Sequence, residues 1–235
     1  MNNVVVPPGV SGRVVPFDAS SVDVSTLACE LALTNIGDFE PLDIMIDCRQ
    51  FKQEIARYNH DWVDYLPRTD RVNNRKGLAL TNLPGKSHKD NPSHAQACVE
   101  AGRRLSENEF NVPTEVFNHC KSLHPLLNAF PDLGRSFLMQ CNLGGYFVPH
   151  RDHPQLPRES FRIVVFLNNC APMEYDWIMG MDTKLQIEMG RAYYVNTRKT
   201  HRTMSWVNNS IHMILNVPVT SENVAMVLSS LRHKH

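Results

Sequence analysis

His150, Arg151 and Asp152 make an H-x-D pair, and His201 follows far downstream. Two imidazoles and one carboxylate can hold a non-haem ferrous ion on one face of an octahedron, leaving three positions for a bidentate co-substrate and dioxygen. On an extended strand residues i and i+2 point the same way, so His150 and Asp152 are expected to reach inward together while Arg151 faces out. His201 would arrive from a neighbouring strand. The pair alone is weak evidence. With eleven histidines in the chain, about one H-x-D is expected by chance, and a second occurs at His88-Lys89-Asp90. That second pair sits between Pro84-Gly85 and Asn91-Pro92, where no strand pattern gives it a common face. His150 and Asp152 instead follow Gly144-Gly145-Tyr146-Phe147-Val148-Pro149 and precede the best β segment of the chain. The plain alternatives are a surface His150 beside charged neighbours, and a solvated His201 in the run Arg198-Lys199-Thr200-His201-Arg202.

A 2-oxo acid such as 2-oxoglutarate would chelate the ion through its 1-carboxylate and 2-oxo group, leaving a buried 5-carboxylate in need of a cation. Arginine suits that task because its fork matches a carboxylate and stays charged. Arg162 shares a strand face with Val164 and Phe166, but the opposite face of Ile163, Val165 and Leu167 is as apolar, so the spacing leaves open which one lines the interior. His212, on one face with Ile214 and Asn216, is a second candidate for the co-substrate and equally a hydrogen-bonded core histidine. Arg75, Asn82 and Arg135 are candidate contacts for a polar substrate, although such residues are commonly just solvated.

The elements that must carry these residues change character near Gly134. Before it, residues 23–33 could hold a strand or short helix. From Asp47 the apolar Phe51, Ile55, Tyr58, Trp62 and Tyr65 recur at helical spacing until Pro67. A second helix is expected from Pro113-Thr114-Glu115 through Val116, Phe117, Cys120 and Leu123, stopping before Pro125. Between them, 83–93 is turn-rich, and the 83–95 segment with 68–75 could fold over the mouth of the barrel as a lid. After Gly134, eight short segments rich in β-branched and aromatic residues follow one another: 135–142, 146–152, 161–168, 175–179, 184–188, 191–196, 201–207 and 211–217. Eight strands is the count of a double-sheet jelly roll. The tail 221–232 reads as a closing helix with a capping serine. The expected organisation is one domain over 1–235: an extension at 1–133, a mainly β, cupin-like double-stranded β-helix at 134–218, and a helix at 219–235.

Length and charge narrow the rest. A chain of 235 residues can bury a sizeable single core. Lysine plus arginine equals aspartate plus glutamate, 24 against 24, so no net field favours nucleic acid or a membrane surface. The longest apolar runs, such as 163–167, are strand-length and far short of a membrane span. Val4, Val5 and Val6 run into Pro7 and Pro8 with no basic region before them, which argues against a secretory signal. Six cysteines without C-x-x-C spacing argue against a zinc knuckle or a disulfide scaffold, and a reducing cytoplasm is expected.

The segments G-R-S-F-L-M-Q-C-N-L-G-G-Y-F-V-P-H-R-D, F-R-I-V-V-F-L-N-N and G-R-A-Y-Y-V-N-T-R-K-T-H-R-T, between Gly134 and Pro218, resemble the aspartyl/asparaginyl β-hydroxylase and proline hydroxylase branch of the Fe(II)/2-oxoglutarate-dependent dioxygenases. Lys76-Gly77-Leu78-Ala79-Leu80-Thr81-Asn82 is similar to the strand before the barrel in that branch. The resemblance implies that His150, Asp152 and His201 ligate iron and that Arg162 binds the 2-oxoglutarate carboxylate. Where many relatives carry a further arginine beyond the distal histidine, this chain has Ile211 and His212, so Arg162 would carry the charge with help from His212. The implied reaction uses O2, can be stimulated by ascorbate, releases succinate and CO2, and hydroxylates an amino acid or an Asp, Asn or Pro residue in a peptide or protein. Two alternatives stay open: a cupin-like metal-binding barrel without 2-oxoglutarate chemistry, and a non-catalytic binding module.

Overall fold

The computed structural model describes residues 24–65, 74–90, 93–152, 158–170, 174–177 and 187–232. In chain order these form α1 (Val24–Ile36), β1 (Phe39–Met45), α2 (Cys48–Ile55), β2 (Val63–Asp64), β3 (Arg75–Ala79), β4 (Thr81–Asn82), α3 (His94–Ala101), β5 (Val112–Pro113), α4 (Glu115–His119), α5 (His124–Leu127), β6 (Phe137–Cys141), β7 (Tyr146–His150), β8 (Ser160–Asn168), β9 (Glu174–Trp177), β10 (Arg191–Val195), β11 (His201–Met204), β12 (Ser210–Pro218) and α6 (Ser221–Ser230). A seven-stranded antiparallel sheet runs β1-β10-β8-β12-β6-β3-β2, and a three-stranded one runs β7-β11-β9. β4 and β5 form a separate pair, and the chain is mainly β with flanking helices, its two larger sheets consistent with a jelly-roll-like fold.

β8 explains how the two layers divide. Its Ile163, Val165 and Leu167 join the main core with Leu33 of α1, Phe51 and Ile55 of α2, and Val224 and Val227 of α6. Val164 and Phe166 point the other way and pack with Tyr193 and Val195 of β10. Both faces of the central strand are thus buried, which is why its sequence is a continuous apolar run rather than an alternation. Each fully buried side chain of this kind contributes roughly 1.5–3 kcal/mol.

Several expected elements take a different form. The helix at 47–65 starts as foreseen, with the Asp47 carboxylate accepting from the amides of Arg49 and Gln50 at 2.8 and 3.0 Å. It then tightens into a 3-10 turn at Ala56–Tyr58, and the chain turns into β2 before Tyr65. The cause is long-range: the Tyr65 amide donates to the Arg75 carbonyl at 3.0 Å, pulling this stretch to the sheet edge. Thr114 caps α4, so Pro113 lies before the helix in β5 and not in its first turn, and the chain breaks at Cys120. Pro125 then sits in the first turn of α5, where its missing N–H costs nothing. Thr220, not Ser221, caps α6. β1 and α3 were not foreseen; β1 carries Pro41, which only an edge strand tolerates, and an edge is where it lies.

Of the eight expected strands, seven correspond to β6–β12, while the expected 184–188 strand falls at 184–186 outside the described residues and has no regular structure at 187–188. Position 134 is no boundary within the large sheet, since β1, β2 and β3 all belong to it. No helix among the described residues is long and apolar enough to cross a membrane.

Candidate metal centre

β7 and β11 pair antiparallel with His150 directly opposite His201, and the imidazole centroids stand 4.3 Å apart. The register shifts between that pair and Thr203–Phe147, so β7 carries one extra residue near Val148 and Pro149. This bulge lets Phe147 and His150, which simple alternation would send to opposite faces, both reach the interior, while Tyr146 and Val148 remain exposed.

Asp152 lies beyond the end of β7, so strand alternation is not what aims it inward. Its amide donates to the Thr197 carbonyl at 2.8 Å, and that bond to the turn before β11 sets the approach. Nδ1 of His150 donates to the Val148 carbonyl at 2.7 Å and Nδ1 of His201 to the Lys199 carbonyl at 2.9 Å. A carbonyl can only accept, so each Nδ1 carries the proton and each Nε2 keeps a lone pair. Those two Nε2 atoms each stand 3.7 Å from an Asp152 carboxylate oxygen, His150 from Oδ1 and His201 from Oδ2. All the ligand atoms lie within 4.8 Å of one another. Donors bonded to a common ion at roughly 2.1 Å stand about 3 Å apart at right angles, so a small inward movement suffices. Burial holds the His201 imidazole below its ordinary pKa against the opposing pull of the Lys199 carbonyl and Asp152, which favours the neutral, ligating form.

The donors open onto a cavity of about 110 Å³ between the two sheets. Its wall is aromatic and aliphatic, from Tyr65, Phe137, Phe147, Val164 and Ile214, with Arg162, Thr197, Thr203 and His212 as polar members. The Arg162 face of β8 is thus the inner one. Arg162 brings Nε to 2.8 Å from Oδ2 of Asp152, although the N–H is not aligned on that oxygen and the contact acts through charge. Its other end comes within 4.0 Å of the buried Glu107 carboxylate. Burial works against the guanidinium charge, but the Asp152 and Glu107 carboxylates outweigh it and raise its pKa. His212 is buried at 2% exposure with no hydrogen-bond partner for Nδ1 among the described residues, and burial pushes its pKa down to about 4, so it is a neutral imidazole.

The substrate candidates do not line this cavity. Arg75 rests on the Phe147 ring at 4.2 Å, and Arg135 on Phe137 at 4.6 Å and Tyr65 at 5.8 Å. Asn82 is consumed locally: its amide donates to the carbonyls of Ser87 and Asp90, and its oxygen accepts from the Leu83 amide. It holds the 83–90 loop. Beside that loop is a second cavity of about 350 Å³, lined by residues including Lys86, Lys89, Asp90 and Glu100 and by no member of the triad. The other H-x-D pair is split, with His88 bonded to Asp61 at 3.0 Å and Asp90 capping the Ser87 amide at 2.8 Å. Of the expected lid, 68–73 and 91–92 lie outside the described residues.

Sequence reasoning missed Tyr65, Phe147, Thr197, Thr203 and Glu107. Thr203 was within reach, because it shares the His201 face two residues on; Tyr65 and Glu107 arrive by long-range folding that no local pattern announces.

No protein-family model and no curated protein sequence matches the chain. Solved structures similar to it include a prolyl-4-hydroxylase from Pseudomonas putida (9% identity, TM-score 0.43, covering 81% of this chain and 98% of that one). They also include a viral collagen prolyl hydroxylase from Paramecium bursaria Chlorella virus-1, in complex with 2OG (9% identity, TM-score 0.40, 78% and 97%). A third is an oxidoreductase of the 2OG-Fe(II) oxygenase family from Burkholderia pseudomallei (10% identity, TM-score 0.41, 83% and 90%).

Proposed function

We propose that this chain is an Fe(II)- and 2-oxoglutarate-dependent dioxygenase that hydroxylates an unactivated carbon of an amino acid, or of an Asp, Asn or Pro residue in a peptide or protein. The observation that carries the reading is the convergence of the two Nε2 atoms and the Asp152 carboxylate, with both Nδ1 atoms already held by backbone carbonyls. A histidine fixed in this way is oriented and made more basic for a metal. Ferrous iron held there would supply the oxidising power for hydroxylation, with 2-oxoglutarate and dioxygen as co-substrates and succinate and carbon dioxide as co-products.

The protein's own residues bind and orient. His150, Asp152 and His201 would hold the ion, and Phe137, Phe147 and Val164 give the cavity beside them an apolar wall that would keep water away. Arg162 is the cation for the remote carboxylate, with His212 offering a neutral hydrogen bond at the buried wall. Arg75 and Arg135, resting on the cavity's aromatic rings, are contacts for a polar substrate near the mouth. The chain works in the cytoplasm.

One observation favours a second reading. Arg162 stands between two carboxylates, Asp152 and Glu107, which occupies the charge an incoming 2-oxo acid needs. A cupin-like metal barrel without 2-oxoglutarate chemistry would tolerate that.

Purified protein supplied with iron(II), ascorbate and 2-oxoglutarate is expected to bind the keto acid and release succinate slowly even without prime substrate. Asp152→Ala abolishes metal binding and turnover, whereas Asp90→Ala retains both. Iron-loaded protein that binds no keto acid would hand the case to the cupin-like reading, and a screen of amino acids and peptides for a gain of one oxygen in mass identifies the substrate.

A further inference from the structure

Glu30 of α1 is a carboxylate at only 6% exposure, far from the cavity in sequence. Its Oε1 accepts from the Arg158 amide at 2.6 Å and its Oε2 from Arg158 Nε at 2.8 Å, with Arg198 Nη1 3.5 Å from the same Oε2. Arg158 Nη1 also donates to the Tyr194 oxygen at 3.3 Å, and that hydroxyl donates back to the Leu33 carbonyl of α1 at 3.0 Å. Both arginines belong to segments that carry triad members. Arg158 follows Asp152 on the way to β8, and Arg198 sits in the 196–200 turn that leads from β10 to His201.

Asp38, between α1 and β1, grips the same turn. Its carbonyl accepts from the Asn196 amide at 2.8 Å, Oδ1 accepts from Asn196 Nδ2 at 3.3 Å, and Oδ2 pairs with Lys199 Nζ at 2.6 Å. On its inner side the turn presents two backbone carbonyls to the triad: Thr197 takes the Asp152 amide, and Lys199 takes His201 Nδ1. Arg151 Nε closes the turn onto the residue after His150 by donating to Thr200 Oγ1 at 2.9 Å.

A buried carboxylate gripped by two guanidiniums is a poor way to gain stability, since well-packed apolar residues often do as well or better. What it confers is direction. We infer that Glu30 and Asp38 are positioning residues of the metal centre: from outside the sheets they hold the 196–200 turn, whose carbonyls aim Asp152 and His201. The inference rests on the triad reading given above. It makes the amino-terminal helix part of the site rather than a cover for the core.

Cobalt(II) is a suitable probe, because its visible absorption reports coordination geometry without turnover. Glu30→Gln and Asp38→Asn keep an acceptor of the same shape while removing the charge; Lys199→Met removes the Asp38 contact from the solvent side. Leu33→Ala loosens the apolar packing of α1 without touching the turn. At a temperature where all are folded, Glu30→Gln and Asp38→Asn are expected to weaken cobalt binding about tenfold or more and to alter the visible spectrum. Lys199→Met weakens it in the same direction, while Leu33→Ala lowers the melting temperature and leaves affinity and spectrum as in wild type. If Glu30→Gln and Asp38→Asn melt lower yet bind cobalt with wild-type affinity and spectrum, both residues are fold stabilisers and the positioning role is wrong. Failure of the wild-type chain to bind cobalt would remove the triad reading itself, and this inference with it.

Discussion

His212 reaches the cavity wall from β12 with no partner for Nδ1 among the described residues and almost no solvent contact. Burial disfavours its charged form, so the folded chain resists protonation down to about pH 4, while the unfolded chain takes up that proton near the ordinary value of 6.5. Between those two values the unfolded state binds more protons, and stability therefore falls as the pH drops from 6.5 towards 4. Linkage puts the loss from this one group at about 2 kcal/mol between pH 7 and pH 5, with His201 pulling the same way. His212→Gln removes the titration and keeps a polar side chain, so urea unfolding at the two pH values should lose correspondingly less; an equal loss in variant and wild type would place the acid sensitivity elsewhere. That His150, Asp152 and His201 could form one metal-binding group was legible in their residue types, because few side chains can ligate a metal ion. Their aim was not, since it depends on a bulge in β7 and on carbonyls of a turn that no periodicity records. Arg162 was legible as a cation on β8, but its pairing with Asp152 and Glu107 comes from three separated segments.

Elements were legible where one local cause decides them. Asp47 capping α2 and the doubly apolar run of β8 are such cases. They were missed where the partner is distant, as in β1, an acidic, proline-bearing segment made a strand by pairing with β10. The turn into β10 shows what such a junction demands. Gly190 has φ of +84°, its carbonyl accepts from the Ile46 amide at 2.8 Å, and an added Cβ would press on the Ile46 carbonyl oxygen. Gly85 has a similar φ of +78°, yet a Cβ there meets nothing within 4 Å. The left-handed backbone alone costs a non-glycine residue about 1–3 kcal/mol. Gly85→Ala should lose an amount in that range, and Gly190→Ala clearly more, because backbone atoms must also move. Denaturant midpoints of the two variants check this, and equal losses would mean that the β1–β10 junction yields freely.

At the scale of the molecule, the change of character near Gly134 suggested a single domain made of an extension and a β-helix core at 134–218, and the large sheet runs across that point. β1 and β3 flank β10 and β6 inside one continuous ladder, so a chain beginning at residue 134 would present two unpaired strand edges. The main core crosses the same point: Leu33, Leu42, Phe51, Ile55, Leu78 and Leu80 pack with Ile163, Val165, Leu167, Met213 and Leu215. A handful of such side chains, at roughly 1.5–3 kcal/mol each, already matches the roughly 5–15 kcal/mol by which folded domains are stable. Glu30 and Asp38 would be lost as well, and with them the outer hold on the turn before His201. Residues 134–235 alone are therefore expected to show no cooperative thermal transition and to aggregate, while the full chain melts cooperatively. A sharp transition in the shorter chain, with cobalt bound at wild-type affinity, would mean that the later strands fold and assemble the donors unaided. The first 133 residues would then be a cover and not, as the shared ladder and core imply, part of what holds the candidate metal centre in shape.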